Sequence, residues 1–125
     1  MGAGTELIKQ TYEAFGRGDI PAVLDNVAED VEWSAPGTLP QGGYFHGKSG
    51  VAEFFQGIGG AWQSLGLDVE VVSEAGGELV VGIVRGDGTL YDGTENSYGA
   101  VHVFTVRAGK IARFREYTDL DVPLC

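Results

Sequence analysis

Apolar residues recur along this chain with two different periods, and the change between them separates a helical first half from a stranded second half. From Thr5 to Phe15, the residues Leu7, Ile8, Tyr12 and Phe15 fall at helical spacing; Thr5 can cap the start, and Gly16 and Gly18 can end the helix. Asp19 is placed to cap a second, short helix carrying Ile20, Val23, Leu24 and Val27, with Pro21 at an early position where its missing N–H is no loss. Val31 and Trp33 alternate with Glu32 as a short strand. Ser34 to Gly47, holding two prolines and four glycines, reads as a long loop with a brief extended piece at Tyr44-Phe45-His46. Lys48 or Ser49 opens a third helix, whose Val51, Phe54, Phe55 and Ile58 form one stripe before Gly59-Gly60.

Strands follow at Leu67–Val71 and Glu78–Arg85, and two more runs close the chain, Ala100–Val106 and Lys110–Thr118. Gly76-Gly77 signals a hairpin, while Gly86-Asp87-Gly88 and Asp92-Gly93 mark a longer, acidic connection. Helices followed by a largely antiparallel sheet predict one α+β domain over residues 1–125, three N-terminal helices packing against the sheet. Residues 1–4 are expected to form a disordered tail.

The final two runs flank the tight turn Arg107-Ala108-Gly109-Lys110, so they pair as a hairpin. Side chains alternate between faces, which puts His102 and Phe104 on one face with Phe114 and Glu116. A histidine and a carboxylate then look into one apolar wall. Burying an ionisable group without a partner is costly, so such a pair marks a candidate site. The alternative for Glu116 is a salt bridge to Arg113 or Arg85, and for His102 a satisfied place in the core. Asp119 lies on the opposite parity and is expected to face outward, and His46 sits in the loop after Tyr44-Phe45.

Composition narrows the partners. Eight basic residues against eighteen acidic ones leave a formal net charge of -10, which repels phosphate backbones and anionic membranes. Neither nucleic acid nor a membrane is an expected partner. The one cysteine, Cys125, excludes an internal disulfide, and no run of about 18 apolar residues suggests a membrane span. A cytoplasmic location follows as an expectation. Two histidines separated by fifty-five intervening residues do not make a metal signature, and Asp87, Asp92 and Glu95 lack the regular oxygen pattern of a calcium loop. No glycine-rich phosphate loop is present, so no cofactor and no metal are expected.

In order along the chain stand Tyr12-Glu-Ala-Phe-Gly-Arg-Gly-Asp19, Ala28-Glu-Asp-Val-Glu-Trp33, Pro36-Gly37, Phe45-His-Gly47, Val51-Ala-Glu-Phe-Phe55 and Gly109-Lys-Ile-Ala-Arg-Phe-Arg-Glu-Tyr117. Together they resemble the SnoaL-like and ketosteroid-isomerase-like branch of the nuclear transport factor 2-like superfamily, over nearly the whole chain. The resemblance implies a cone in which a strongly curved sheet wraps around the helices, open at one end to an apolar pocket. It implies pocket walls drawn from Tyr12, Phe15, Trp33, Phe55, His102, Phe104, Phe114 and Glu116, with Tyr44 at the rim. It also implies a homodimer through the outer sheet face, where Val101, Val103, Thr105, Arg113, Arg115 and Tyr117 fall on the other parity. The general-base aspartate of ketosteroid isomerases matches Ala35 here, which argues against that activity. His102 matches the protonated acid of that branch, and Glu116 matches a position where SnoaL-like proteins often carry an acid.

The function expected from these residues is a small cofactor-independent enzyme of polyketide-cyclase or isomerase type. It would move a proton next to the carbonyl of a hydrophobic compound in an apolar pocket. Glu116 or His102 takes the proton, and the other, with Tyr12, stabilises the enolate; Phe15, Trp33, Tyr44, Phe55, Phe104 and Phe114 contact substrate. The alternatives are a non-catalytic binding module for an apolar small molecule and an epoxide-hydrolase-like enzyme, whose usual acid–arginine–acid array is not assembled by these residues.

Overall fold

In the computed structural model, which describes residues 3–119, three helices and six strands follow in the order α1 (Ala3–Gly16), α2 (Ile20–Asp25), β1 (Val27–Ala35), β2 (Gly43–His46), α3 (Gly47–Ala61), β3 (Trp62–Gly76), β4 (Leu79–Leu90), β5 (Glu95–Arg107) and β6 (Lys110–Thr118). The strands form one curved, unclosed sheet in the order β2-β1-β6-β5-β4-β3. β1 runs parallel to β6, and every other pairing is antiparallel. The helices occupy its concave face, giving the α+β fold that the sequence pattern predicts in the cone shape that the family resemblance implies.

Local chemistry explains the helix ends. α1 stops where Gly18 takes the left-handed conformation (φ 74°) and the Asp19 amide returns to the Ala14 carbonyl at 2.8 Å. Asp19 then caps α2, its Oδ1 accepting from the Ala22 amide at 3.2 Å. α1 begins at Ala3, before the expected Thr5 cap, and Gly4 lies close against β4, where an added Cβ would stand 3.2 Å from Val80. Ala3 and Gly4 are thus helical rather than part of the expected tail. Met1, Gly2 and Cys125 lie outside the described residues.

The strands are longer than the sequence pattern suggests. Gly86 and Gly88, expected in a connection, belong to β4, and the turn falls instead at Tyr91–Thr94, where Gly93 has φ 91°. Their glycine character answers to what lies over them. A Cβ on Gly86 would stand 2.6 Å from the Tyr98 ring, and one on Gly88 would meet the Ser64 carbonyl oxygen first and the Trp62 ring at 2.7 Å. These glycines make room for rings in the interior of the cone.

Two buried clusters form the core. The first gathers Ile8, Val31, Trp33, Val51, Phe104 and Phe114, and the second Leu39, Trp62, Val84, Tyr98 and Ala100. Tyr12 and Ile58 pack against both, so the space between the clusters opens beside Tyr12. No helix among the described residues is long and apolar enough to cross a membrane.

Candidate functional site

The site grows out of the β5–β6 register. His102 pairs directly with Glu116, and Phe104 with Phe114, so the four side chains expected on one face do share it. On the other side of β5, His102 pairs with Gly82 of β4. The missing side chain there is filled by α1: the Tyr12 hydroxyl lies over Gly82, whose added Cβ would stand 3.1 Å from Tyr12 Cζ and closer still to the oxygen. The phenol therefore reaches the imidazole, with 2.7 Å between Tyr12 Oη and His102 Nδ1. His102 Nε2 lies 3.0 Å from Glu116 Oε2. Tyr12, His102 and Glu116 are one hydrogen-bonded chain, and both the imidazole and the carboxylate are almost wholly buried, at 4% and 8% exposed.

Donor and acceptor roles follow from chemistry. With Glu116 ionised and His102 neutral, Nε2–H donates to the carboxylate and Nδ1 carries the lone pair that accepts from the Tyr12 hydroxyl. Burial, and then the negative charge of Glu116, hold both the Tyr12 and Tyr98 phenols well above the usual tyrosine range. Tyr12 thus keeps its proton and can donate it. Both nitrogens of His102 are engaged. The free lone pairs of the chain are on Glu116 and on the Tyr12 oxygen.

Aromatic rings wall the cavity. Trp33 stacks on Phe114 with centroids 4.1 Å apart, Phe15 meets Phe55 at 5.8 Å, and Phe104 meets Phe114 at 5.2 Å. All of these rings line the cavity together with Tyr12, His102 and Glu116; its volume is about 60 Å³, and among the described residues no lysine or arginine lines it. The Trp33 indole N–H is buried and has no hydrogen-bond partner among the described residues.

Tyr44 does not belong to the site. It is 63% exposed on β2, because strand alternation turns its neighbour Phe45 inward onto Phe54, at 5.6 Å, and Tyr44 outward. His46 is exposed as well. Asp119 lies beside Tyr117 and Glu70 in a groove on the outer face, accepting from the Gly99 amide at 3.2 Å. The surface ion pairs weighed for Glu116 do not form; Arg113 approaches Glu32 at 3.9 Å, and Arg85 donates to Ser97 at 3.4 Å.

Two site residues escaped the sequence reading. Tyr98, 3% exposed, shares the parity of Ala100, His102 and Phe104 and would have been found had β5 been extended toward Glu95. Gln41, 5% exposed, comes from the proline- and glycine-rich loop and carries no periodic signal. Its side chain is oriented by Trp62, whose indole N–H donates to Gln41 Oε1 at 3.0 Å. Among the described residues, no group of three or more histidine, cysteine, aspartate or glutamate side chains could hold a metal ion.

The SnoaL-like domain profile matches residues 8–114, most of the chain. The protein belongs to the SnoaL-like domain family. Among solved structures, this SnoaL-like domain is similar to an NTF2-like protein of unknown function from Burkholderia pseudomallei, at 28% identity over 95% of this chain and 92% of that one, with a TM-score of 0.87. It is similar to TerC co-crystallised with polyporic acid, at 29% identity over 95% and 93% of the two chains, with a TM-score of 0.85. A candidate polyketide cyclase from Xanthomonas campestris pv. campestris aligns at 29% identity over 94% and 91%, with a TM-score of 0.82. No curated protein matches the sequence.

Proposed function

We propose that this SnoaL-like domain is a cofactor-independent enzyme of polyketide-cyclase or isomerase type that moves a proton next to the carbonyl of an apolar compound. The observation that carries this reading is the buried Tyr12–His102–Glu116 chain facing an aromatic cavity. An α-proton is far less acidic than a carboxyl group, so a base alone does little. The barrier falls chiefly through hydrogen bonds to the developing oxyanion in a site from which water is excluded.

Glu116 is the base. Its second oxygen takes the α-proton, the C–H bond breaks, an O–H bond forms on the carboxyl group, and the electron pair moves to the carbonyl oxygen as an enolate. Returning the proton to another carbon completes an isomerisation; attack of the enolate carbon on a second carbonyl of the same molecule forms a ring, and the resulting alkoxide takes the proton back from the Glu116 carboxyl group. His102, engaged at both nitrogens, is a positioning residue that holds the Glu116 carboxylate and the Tyr12 hydroxyl in place. The similarity to TerC co-crystallised with polyporic acid and to a candidate polyketide cyclase supports a small oxygenated organic ligand.

The working unit is a homodimer joined through the outer sheet face. There Val71 pairs with Ile83, Ile83 with Val101 and Val101 with Tyr117, forming a row across four strands in which each residue is at least 37% exposed.

The chemistry is tested by proton NMR in D₂O with para-hydroxyacetophenone. The expected result is protein-dependent exchange of deuterium into the methyl group next to the carbonyl, lost in Glu116→Gln. Binding without exchange in the native protein would refute proton transfer and leave a binding module.

A further inference from the structure

The cavity holds a hydrogen-bond donor that the proton-transfer chain does not use. An indole N–H can only donate, so the contact between Trp62 Nε1 and Gln41 Oε1 at 3.0 Å settles which end of the Gln41 amide is oxygen. The NH₂ end is the one left over. It makes no hydrogen bond among the described residues, although Gln41 is 5% exposed and lines the cavity. As part of the cavity lining, it is available to an acceptor held there. The surroundings give it no freedom to turn away, because Trp62 is itself fixed over Gly88, where a Cβ would stand 2.7 Å from its ring.

We propose that Gln41 receives the ligand's carbonyl oxygen, and that the cavity accordingly takes an uncharged, oxygen-bearing compound about one ring in size. This assignment rests on the reading that the cavity handles carbonyl compounds. Four observations define the ligand. Gln41 offers N–H groups, which require an acceptor oxygen. Glu116, by contrast, offers a carboxylate, and Tyr12 an oxygen whose proton is directed at His102, so that end suits a hydroxyl or an acidic C–H. With a buried carboxylate and, among the described residues, no lysine or arginine lining the cavity, an anionic ligand meets repulsion and no counter-charge. The volume of about 60 Å³ corresponds to roughly five water positions, at ~10–15 Å³ each on this measure. Roughly five waters fill ~150 Å³ of liquid, about the space of one substituted ring.

Calorimetry on the intact protein tests this with para-hydroxyacetophenone, para-ethylphenol, which lacks the carbonyl, and para-hydroxybenzoate, which is anionic. The ketone is expected to bind on the order of tenfold or more tightly than the other two. Infrared spectra of the bound ketone, labelled at the carbonyl carbon, are expected to show its stretch shifted to lower frequency than in an apolar solvent. Gln41→Met and Gln41→Glu should both remove the preference for the ketone and the shift; the glutamate variant keeps an acceptor for Trp62 and so guards against misfolding.

Retention of the ketone preference and the shifted stretch in a folded Gln41→Glu protein would overturn the assignment. So would equal binding of the ethylphenol, tighter binding of the benzoate, or no binding of the ketone. The exchange experiment above reads a different event. Loss of exchange with the Gln41-dependent preference intact refutes proton transfer and leaves this assignment standing.

Discussion

Replacing Gly82 with alanine adds one methyl group where the Tyr12 hydroxyl now sits. The new Cβ would lie 3.1 Å from Tyr12 Cζ and 3.2 Å from Cε2, and inside the contact distance of the oxygen itself. Gly82 lies within β4, paired with Val72 on one side and His102 on the other, so the backbone cannot retreat without disturbing two ladders. The tyrosine must move instead, and its 2.7 Å hydrogen bond to His102 Nδ1 is broken. Leaving that buried nitrogen unpaired costs about 1–3 kcal/mol, and overpacking adds about 1–3 kcal/mol. The lower chain entropy of alanine in the unfolded state offsets about 0.4–1 kcal/mol. A net loss of roughly 2–4 kcal/mol is therefore expected, a large share of a typical ~5–15 kcal/mol.

Urea denaturation measures the loss, and repeating it in a Tyr12→Phe background isolates the cause. Without the hydroxyl, the worst contact is gone, so the same alanine should cost less than about 1 kcal/mol, giving a coupling of at least ~1 kcal/mol. Nitrogen NMR of the imidazole gives an independent readout, since Nδ1 should lose its hydrogen-bonded shift in Gly82→Ala. A Gly82→Ala protein as stable as the native one, or a cost unchanged by Tyr12→Phe, would refute the argument that this glycine exists to seat Tyr12.

His102→Ala is expected to lower deuterium exchange by on the order of 10²-fold, and the Glu116→Gln, His102→Ala double variant to lose little more than the worse single one; additive losses would show that the two act separately. Tyr12 and Tyr98 hold their protons more tightly in the fold than the ordinary tyrosine value of 10.0 allows. Their stabilising contribution is complete below that pH and is lost as pH rises above it toward the folded values. Urea titrations through this alkaline window should show falling stability, with a shallower fall in Tyr12→Phe and Tyr98→Phe; a flat profile in the native protein would contradict the buried phenols. Light scattering should give a dimeric mass at micromolar concentration, and Val101→Glu a monomeric one, because a charge would enter the apolar row on the outer face.

The sequence by itself determined the fold class, most element positions and the inward face of the last hairpin. Those features depend on local periods: an alternation of two in β5 and β6 decides that His102, Phe104, Phe114 and Glu116 point the same way, whatever surrounds them. Distance in space is different. That Tyr12 reaches His102 across ninety residues depends on how α1 docks, and the docking depends on an absence, the missing side chain of Gly82. A glycine between strand-forming residues reads alike whether it turns the chain or yields space, which is why Gly86 and Gly88 resembled a connection. Only their overlying rings, Tyr98 and Trp62, reveal their purpose. Tyr44 was expected to contact substrate, but the register of β2 turns Phe45 inward onto Phe54 and Tyr44 outward. Gln41 was invisible for the same reason: a loop residue carries no period, and its place in the site is fixed by one contact with Trp62 that exists only in the folded chain.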